Sequence, residues 1–128
     1  MYKRKFEKNK ISKAFYEKFK SLKNKKFYLF LGRFHEKKGC EIIINTIYQL
    51  KKKFNDFVLM AGPLNGTTYE KKIFSLIKKY ELENKIIISD ILTGEIKWGA
   101  INQSKATILP SHGENFGVSL IESLSLSK

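Results

Sequence analysis

Apolar residues along this chain follow two alternating rhythms. Four short runs are almost continuously apolar: Phe27-Tyr28-Leu29-Phe30-Leu31, Phe57-Val58-Leu59-Met60-Ala61, Lys85-Ile86-Ile87-Ile88 and Ala106-Thr107-Ile108-Leu109. Runs of that length and composition read as strands buried on both faces. Between them the period lengthens to that of a helix. Ile11, Ala14, Phe15, Phe19 and Leu22 recur at helical spacing in a lysine-rich first segment, with Ser12 as a candidate cap. Cys40, Ile43, Ile44, Ile47, Leu50 and Phe54 predict a helix over residues 39–54. Tyr69, Ile73, Phe74, Leu76, Ile77 and Tyr80 mark another, and residues 95–103 a short one in which Trp98 packs. Strands alternating with helices imply an α/β fold: a parallel sheet with right-handed crossovers and helices on both faces. The expected organisation is an amphipathic helix and charged linker over residues 1–24, followed by one domain over residues 25–128.

Composition adds limits rather than a function. A chain of 128 residues that is 42% hydrophobic supports one folded domain with a core. Its single cysteine, Cys40, excludes an internal disulfide and suits a reducing compartment; it opens an apolar helical face and reads as a core residue, not a nucleophile. No apolar run approaches the ~18 residues of a membrane span. The lysine-containing N-terminus lacks the apolar stretch of a secretory signal. The expected location is cytoplasmic, with the inner face of the membrane as an extension. Net charge is +13, from 25 basic and 12 acidic residues. That balance suits nucleic acid, an anionic membrane surface or an anionic ligand. The lysines are spread along every predicted helix, which also suits a composition bias with lysines on solvated faces.

Ligands of open parallel sheets sit beyond the carboxyl ends of the strands. Gly32, Gly62-Pro63 and Gly113-Glu114 all fall there. The run Gly32-Arg33-Phe34-His35-Glu36-Lys37-Lys38-Gly39 joins the first strand to its helix. Its glycines allow a tight turn, Arg33 supplies a planar fork for phosphate oxygens and Lys38 a point charge. A diphosphate between them is neutralised with no metal. The run is not a GxxxxGK[ST] phosphate loop, and no GxGxxG is present. Further on, Glu114 and Glu122 lie eight positions apart, with Gly117 where a helix should begin. Glu122 then stands about 7.5 Å along the axis from Gly117. Helix amides there would hold a phosphate while the carboxylates accept hydrogen bonds from sugar hydroxyls.

These runs resemble the signatures of retaining glycosyltransferases of family 4, of the GT-B fold type. Pro110-Ser111-His112-Gly113-Glu114-Asn115-Phe116-Gly117 is similar to that family's PSxxExFG run and contains its Glu-x7-Glu spacing. The Gly32–Gly39 segment is similar to its GRxxxxKG run. Lys97-Trp98-Gly99-Ala100 resembles a run in members that build surface polysaccharides. The resemblance covers Phe27 to Lys128. It implies a Rossmann-like, nucleotide-sugar-binding half of a GT-B fold, truncated at its C-terminus. It also implies transfer of a hexose from a nucleotide diphosphate sugar to a glycan or lipid-linked acceptor. By the same resemblance Arg33 and Lys38 bind the donor diphosphate beside Gly32, and Glu122 bonds the ribose. Glu114, the catalytic candidate, lies near the hydroxyls of the transferred sugar. Asn115 belongs to the donor-binding set, and Phe116, Gly117 and Val118 are backbone that approaches sugar and phosphate. No cofactor or metal is implied beyond the donor itself.

The family's acceptor domain, which normally supplies a catalytic His and Asp, has no counterpart here, and neither does the strand after an AxGxP turn. Neither His35 nor His112 is assigned those roles; His35 is expected near the phosphates and His112 at the sugar pocket. Residues 89–92 are expected beside the nucleotide base. Alone, the chain is expected to bind donor weakly and transfer little. Two alternatives stand beside this reading. One is a basic nucleic-acid-binding module, opposed by the core periodicity of Phe27, Phe30, Phe54, Phe57 and Phe74 and by the lack of a recognition motif. The other is a non-catalytic remnant or one half of a two-chain transferase.

Overall fold

The computed structural model describes residues 8–50 and 52–108. Helix α1 (Lys8–Lys18) leads through a 3₁₀ turn at Lys20–Leu22 into strand β1 (Phe27–Leu31). A second 3₁₀ turn, Glu36–Lys38, precedes α2 (Cys40–Gln49). Then follow β2 (Phe57–Ala61), α3 (Thr68–Lys79), β3 (Ile86–Ser89) and α4 (Gly94–Gln103). The three strands are parallel in the order β1-β2-β3, with Leu29 opposite Leu59 and Leu59 opposite Ile87. On the free side of β1, Thr107 makes a parallel bridge to Leu29. The Ala106 carbonyl accepts from Leu29 N–H at 3.0 Å and Ile108 N–H donates to the Leu29 carbonyl at 2.6 Å. The fourth expected strand is thus a single bridge among the described residues, and Leu109 lies outside them.

Alternation within the strands sorts side chains to two cores. Tyr28, Phe30, Val58, Met60 and Ile86 point to α2 and α3, where they meet Ile43, Ile44, Ile47 and Ile73. Phe27, Leu29, Leu59 and Ala61 point the other way and meet Phe15 and Phe19 of the α1 segment and Ala100 of α4. Helices therefore cover both faces of the parallel sheet. Full burial of each large apolar side chain contributes about 1.5–3 kcal/mol. The first segment is part of this packing: Ile11, Phe15 and Leu22 are buried. Gly99 makes the contact between α1 and α4 close, because a Cβ there would stand 2.2 Å from the Ile11 carbonyl oxygen and 2.7 Å from Phe15 Cβ.

Two local expectations change. The helix expected over residues 39–54 ends at Gln49, and Leu50 leaves helical geometry with ψ near 7°. Phe54 stays in the core because its N–H donates to the Leu50 carbonyl at 2.8 Å, folding the chain back instead of continuing the helix. Ser12 lies inside α1 and is no cap; its hydroxyl accepts from the Gln103 amide at 2.6 Å, while Tyr16 donates to the same Gln103 at 3.0 Å.

Candidate functional site

Strand order decides where a ligand crevice can form. From β1 the chain steps outward to β2 and β3, then returns across the sheet to pair residues 106–108 with the opposite side of β1. The order reverses between β1 and that segment, and such a reversal opens a crevice at the carboxyl ends. The loop leaving β1 there is Gly32-Arg33. Residues from 109 onward are not among those described. Glu114, Asn115, Phe116, Gly117, Val118 and Glu122, together with His112, therefore lie outside the described residues.

The carboxyl-end pole is tightly built. Gly32 N–H donates to the Ala61 carbonyl at 3.1 Å, and Gly62 N–H to the Ser89 carbonyl at 3.2 Å, which carries the ladder one residue past each strand. A Cβ on Gly62 would lie 1.9 Å from the Gly32 carbonyl oxygen, so the β1 and β2 loops cross backbone against backbone. Beside this crossing is a cleft of about 310 Å³. Its floor is Leu31 and Ala61, its apolar wall Pro63, Ile91 and Leu92, and its cations Arg33 and Lys97. Arg33 is exposed at the opening.

The expected site residues are thereby only partly gathered. Gly32 and Arg33 line the cleft, as do Ile91 and Leu92 from the stretch expected near a base. Lys38 is exposed at the end of the Glu36–Lys38 turn and is not part of the lining. That turn is held by His35, whose Nδ1 accepts from the Lys37 N–H at 3.1 Å. An accepting Nδ1 leaves the neutral ring's proton on Nε2. Gly39, at φ 72°, then reverses the chain into α2 in the left-handed conformation that glycine adopts without strain. The start of α2 already has its acid: Glu41 bonds Lys72 at 3.2 Å and accepts from Tyr69 at 3.2 Å. Cys40 is buried, its thiol donating weakly to the Arg33 carbonyl at 4.0 Å. Burial pushes that thiol up to about 11, so it is protonated at neutral pH and no nucleophile.

Sequence reasoning missed two features. Lys97 is the larger. It sits in the first turns of α4, and a helix following β3 starts at the carboxyl-end pole, so a cation there belongs to the crevice. The other is the brace behind the β2 loop. Thr67 caps α3 by accepting from Glu70 N–H at 3.1 Å, and the Glu70 carboxylate reaches back to Asn65 N–H at 3.0 Å and Gly66 N–H at 2.8 Å. This capping box was legible as Thr67-x-x-Glu70 before an apolar run. The Asn65 amide, followed by those of Gly66 and Thr67, holds the Glu70 carboxyl below its ordinary value against the opposing effect of burial. Asp90 ties the third loop in, accepting from Leu64 N–H at 3.2 Å and Ile91 N–H at 2.7 Å. Among the described residues no His, Cys, Asp or Glu cluster could hold a metal ion.

The fold is a Rossmann-like α/β domain with a cleft over the carboxyl ends of its parallel sheet. The chain belongs to the glycosyl transferases group 1 family, whose model matches residues 12–128. The match starts within α1, earlier than the Phe27 at which the resemblance in sequence began. A relative is the 2-deoxystreptamine N-acetyl-D-glucosaminyltransferase of Niallia circulans, 31% identical over 104 residues, which are 79% of this chain and 25% of that protein. This chain thus spans about a quarter of the length of that relative. Among solved structures, a sucrose-phosphate synthase from Thermosynechococcus elongatus superposes with a TM-score of 0.62 at 19% identity, over 87% of this chain and 28% of that one. A lipopolysaccharide outer core galactosyltransferase superposes at 0.50 and 18% identity, over 79% and 28%. Both likenesses concern the fold, a Rossmann-like parallel sheet that corresponds to about 28% of each GT-B chain.

Proposed function

We propose that this chain is the donor-binding domain of a retaining family 4 glycosyltransferase. It takes a nucleotide diphosphate sugar and works with an acceptor-binding domain to move a hexose to a glycan or lipid-linked acceptor in surface polysaccharide synthesis. The observation that carries this reading is the cleft at the topological reversal, where Arg33 and Lys97 flank an apolar wall. Leaving-group charge grows on the diphosphate as the glycosidic bond breaks, and fixed cations oppose that charge without reorganising. Pro63, Ile91 and Leu92 suit the flat, apolar face of a nucleobase. Lys38 adds a cation from the rim. Glu114 orients the transferred sugar, Glu122 holds the ribose, and Asn115 to Val118 bring backbone amides to the phosphate. The names of the relatives, which include an N-acetylglucosaminyl and a galactosyl transferase, agree with a hexose donor. No cofactor or metal is required by this chemistry.

Calorimetric titration of the full chain with UDP, GDP and ADP tests the proposal. One of the three should bind saturably, and Arg33→Ala and Glu122→Ala should each weaken it about tenfold or more. A folded sample that binds none of them, or one whose binding ignores both substitutions, would remove the donor reading. Steeply salt-dependent binding of oligonucleotides, indifferent to Glu114 and Glu122 changes, would favour a nucleic-acid module instead.

A further inference from the structure

The lysines look scattered along the sequence, but the parallel topology collects many of them. All strands of a parallel sheet start at one end, and the crossover helices finish there. Lys23, Lys25 and Lys26 precede β1, and Lys52 and Lys53 precede β2. Lys85 and Lys105 stand immediately before β3 and the bridged segment, and Lys78 and Lys79 occupy the last turn of α3. Backbone pairing sets three of them in a row across the sheet edge: Lys105 N–H donates to the Phe27 carbonyl at 2.8 Å, Phe57 N–H to the Lys26 carbonyl at 3.0 Å, and Val58 N–H to the Lys85 carbonyl at 2.9 Å. The acids on this pole are Glu17 at the end of α1, close to Lys20 and Lys23, together with Asp56, Glu81 and Glu83, and Asp56 is engaged by Lys105 at 3.4 Å. Lys85 is tied to the Phe54 carbonyl, but Lys23, Lys25, Lys26, Lys52, Lys53, Lys78 and Lys79 are exposed. On the same pole Tyr48, 46% exposed, stacks on Tyr80 with ring centroids 4.1 Å apart.

We propose that this amino-end pole docks the protein on an anionic phospholipid bilayer. Three features select a bilayer over a nucleic acid. The pole carries lysines and no described arginine, and a compact ammonium meets any headgroup phosphate without the fork that reads a base edge. The charges come from separate loops spread over a broad end of the domain, not from a groove that tracks a strand. Exposed Tyr48 stacks on partly buried Tyr80, which presents one amphipathic aromatic ring of the sort found at membrane–water interfaces beside the lysines. Docking by this pole turns the opposite, carboxyl-end cleft toward solvent, where a soluble anionic donor arrives. The inference does not rest on the donor assignment, since it uses other residues at the other end of the sheet.

Co-sedimentation of the full chain with vesicles tests it. Binding should appear with mixed phosphatidylglycerol–phosphatidylcholine vesicles, be absent with phosphatidylcholine alone, and fall steeply as NaCl rises from about 0.1 to about 0.5 M. At about fivefold per lysine, Lys25→Ala/Lys26→Ala/Lys52→Ala/Lys53→Ala should weaken it on the order of 600-fold. Lys78→Ala/Lys79→Ala should give a smaller loss of the same kind. A variant of equal charge loss away from the pole, Lys8→Ala/Lys10→Ala/Lys71→Ala/Lys72→Ala, should change binding by no more than about threefold. Circular dichroism checks that each variant is folded. No binding to phosphatidylglycerol vesicles overturns the proposal, as does an equal loss in both quadruple variants. A mixed-sequence oligonucleotide that binds more tightly than the vesicles, and is lost in the pole variants, overturns it in favour of nucleic acid.

Discussion

The two ends of the sheet are built from the same four segments and solve opposite problems. At the carboxyl ends, backbones meet. The loops after β1 and β2 cross at Gly62, the loop after β3 is pinned through Asp90, and the β2 loop is braced by the Glu70 carboxylate. Charge there is mixed and largely engaged, with Glu41 on Lys72 and Glu95 on Lys10. At the amino ends, most of the lysine side chains are exposed over a fixed sheet edge, Lys25 lying against the Phe57 ring and Lys79 against the Tyr80 ring. One end is rigid and holds a cleft; the other is adaptable and carries excess positive charge. A small ligand is held by preorganised groups, because every group ordered on binding costs entropy. A diffuse anionic surface needs only number and density of charge, so flexible ammonium groups serve.

That contrast can be broken first at Gly62. Adding a Cβ at 1.9 Å from a carbonyl oxygen forces the β1 and β2 loops apart, so Gly62→Ala should destabilise by about 3 kcal/mol in urea unfolding. Gly66→Ala, with open space around it but φ at 72°, should be destabilised by only about 1 kcal/mol. Equal effects would mean that the loop crossing is not a rigid element. Next comes the cleft's charge. Lys97→Ala should weaken nucleoside diphosphate binding about tenfold, as for Arg33→Ala, while Lys25→Ala/Lys26→Ala leaves it unchanged. A nucleotide affinity that follows the amino-end lysines would erase the distinction between the poles.

The brace is a smaller effect. Thr67→Ala should lower stability by about 1 kcal/mol through loss of the α3 cap. Glu70 has a folded value below its unfolded one. Its contribution is therefore present above about pH 4.3 and disappears as pH falls through the lower, folded value. Glu70→Gln should flatten that acid limb in pH-dependent melting. Cys40 has the opposite sign, an acid raised by burial to about 11. Stability should decline as pH rises above about 8.5, where the unfolded thiol ionises and the folded one does not. Iodoacetamide should leave folded protein unmodified at neutral pH and label it in urea. The smallest effect is expected at the Lys105–Asp56 pair, where Lys105→Ala should shift stability by less than about 1 kcal/mol.

The strands were legible because burial on both faces demands unbroken apolar runs, and β1 and β2 begin and end where those runs do. Helix limits were less so. Apolar spacing carried the helical pattern on to Phe54, but that residue reaches the core from a turn, and spacing alone does not distinguish the two routes. The Thr67–Glu70 box could have been found from spacing, since a cap and its reciprocal acid are local. Lys97 could not: its value comes from the direction in which α4 leaves β3. Gly32 and Arg33 could be placed at the carboxyl-end cleft from sequence because a loop after a strand is a local object, whereas Lys38, in the same loop, stands outside the cleft lining.

What the sequence determined by itself is the alternation of strand and helix, the apolar identity of both cores and the chemical types available at the loops. These depend on spacing within one element, and chain connectivity enforces them. Tertiary structure alone decided that the chain returns to the free side of β1 and that Gly62 and Gly99 mark close backbone approaches. It alone brought Lys97 to the cleft beside Arg33 and gathered lysines distant in sequence onto one end of the sheet. Each of these depends on which strand pairs with which, and pairing is settled by the burial of whole faces together.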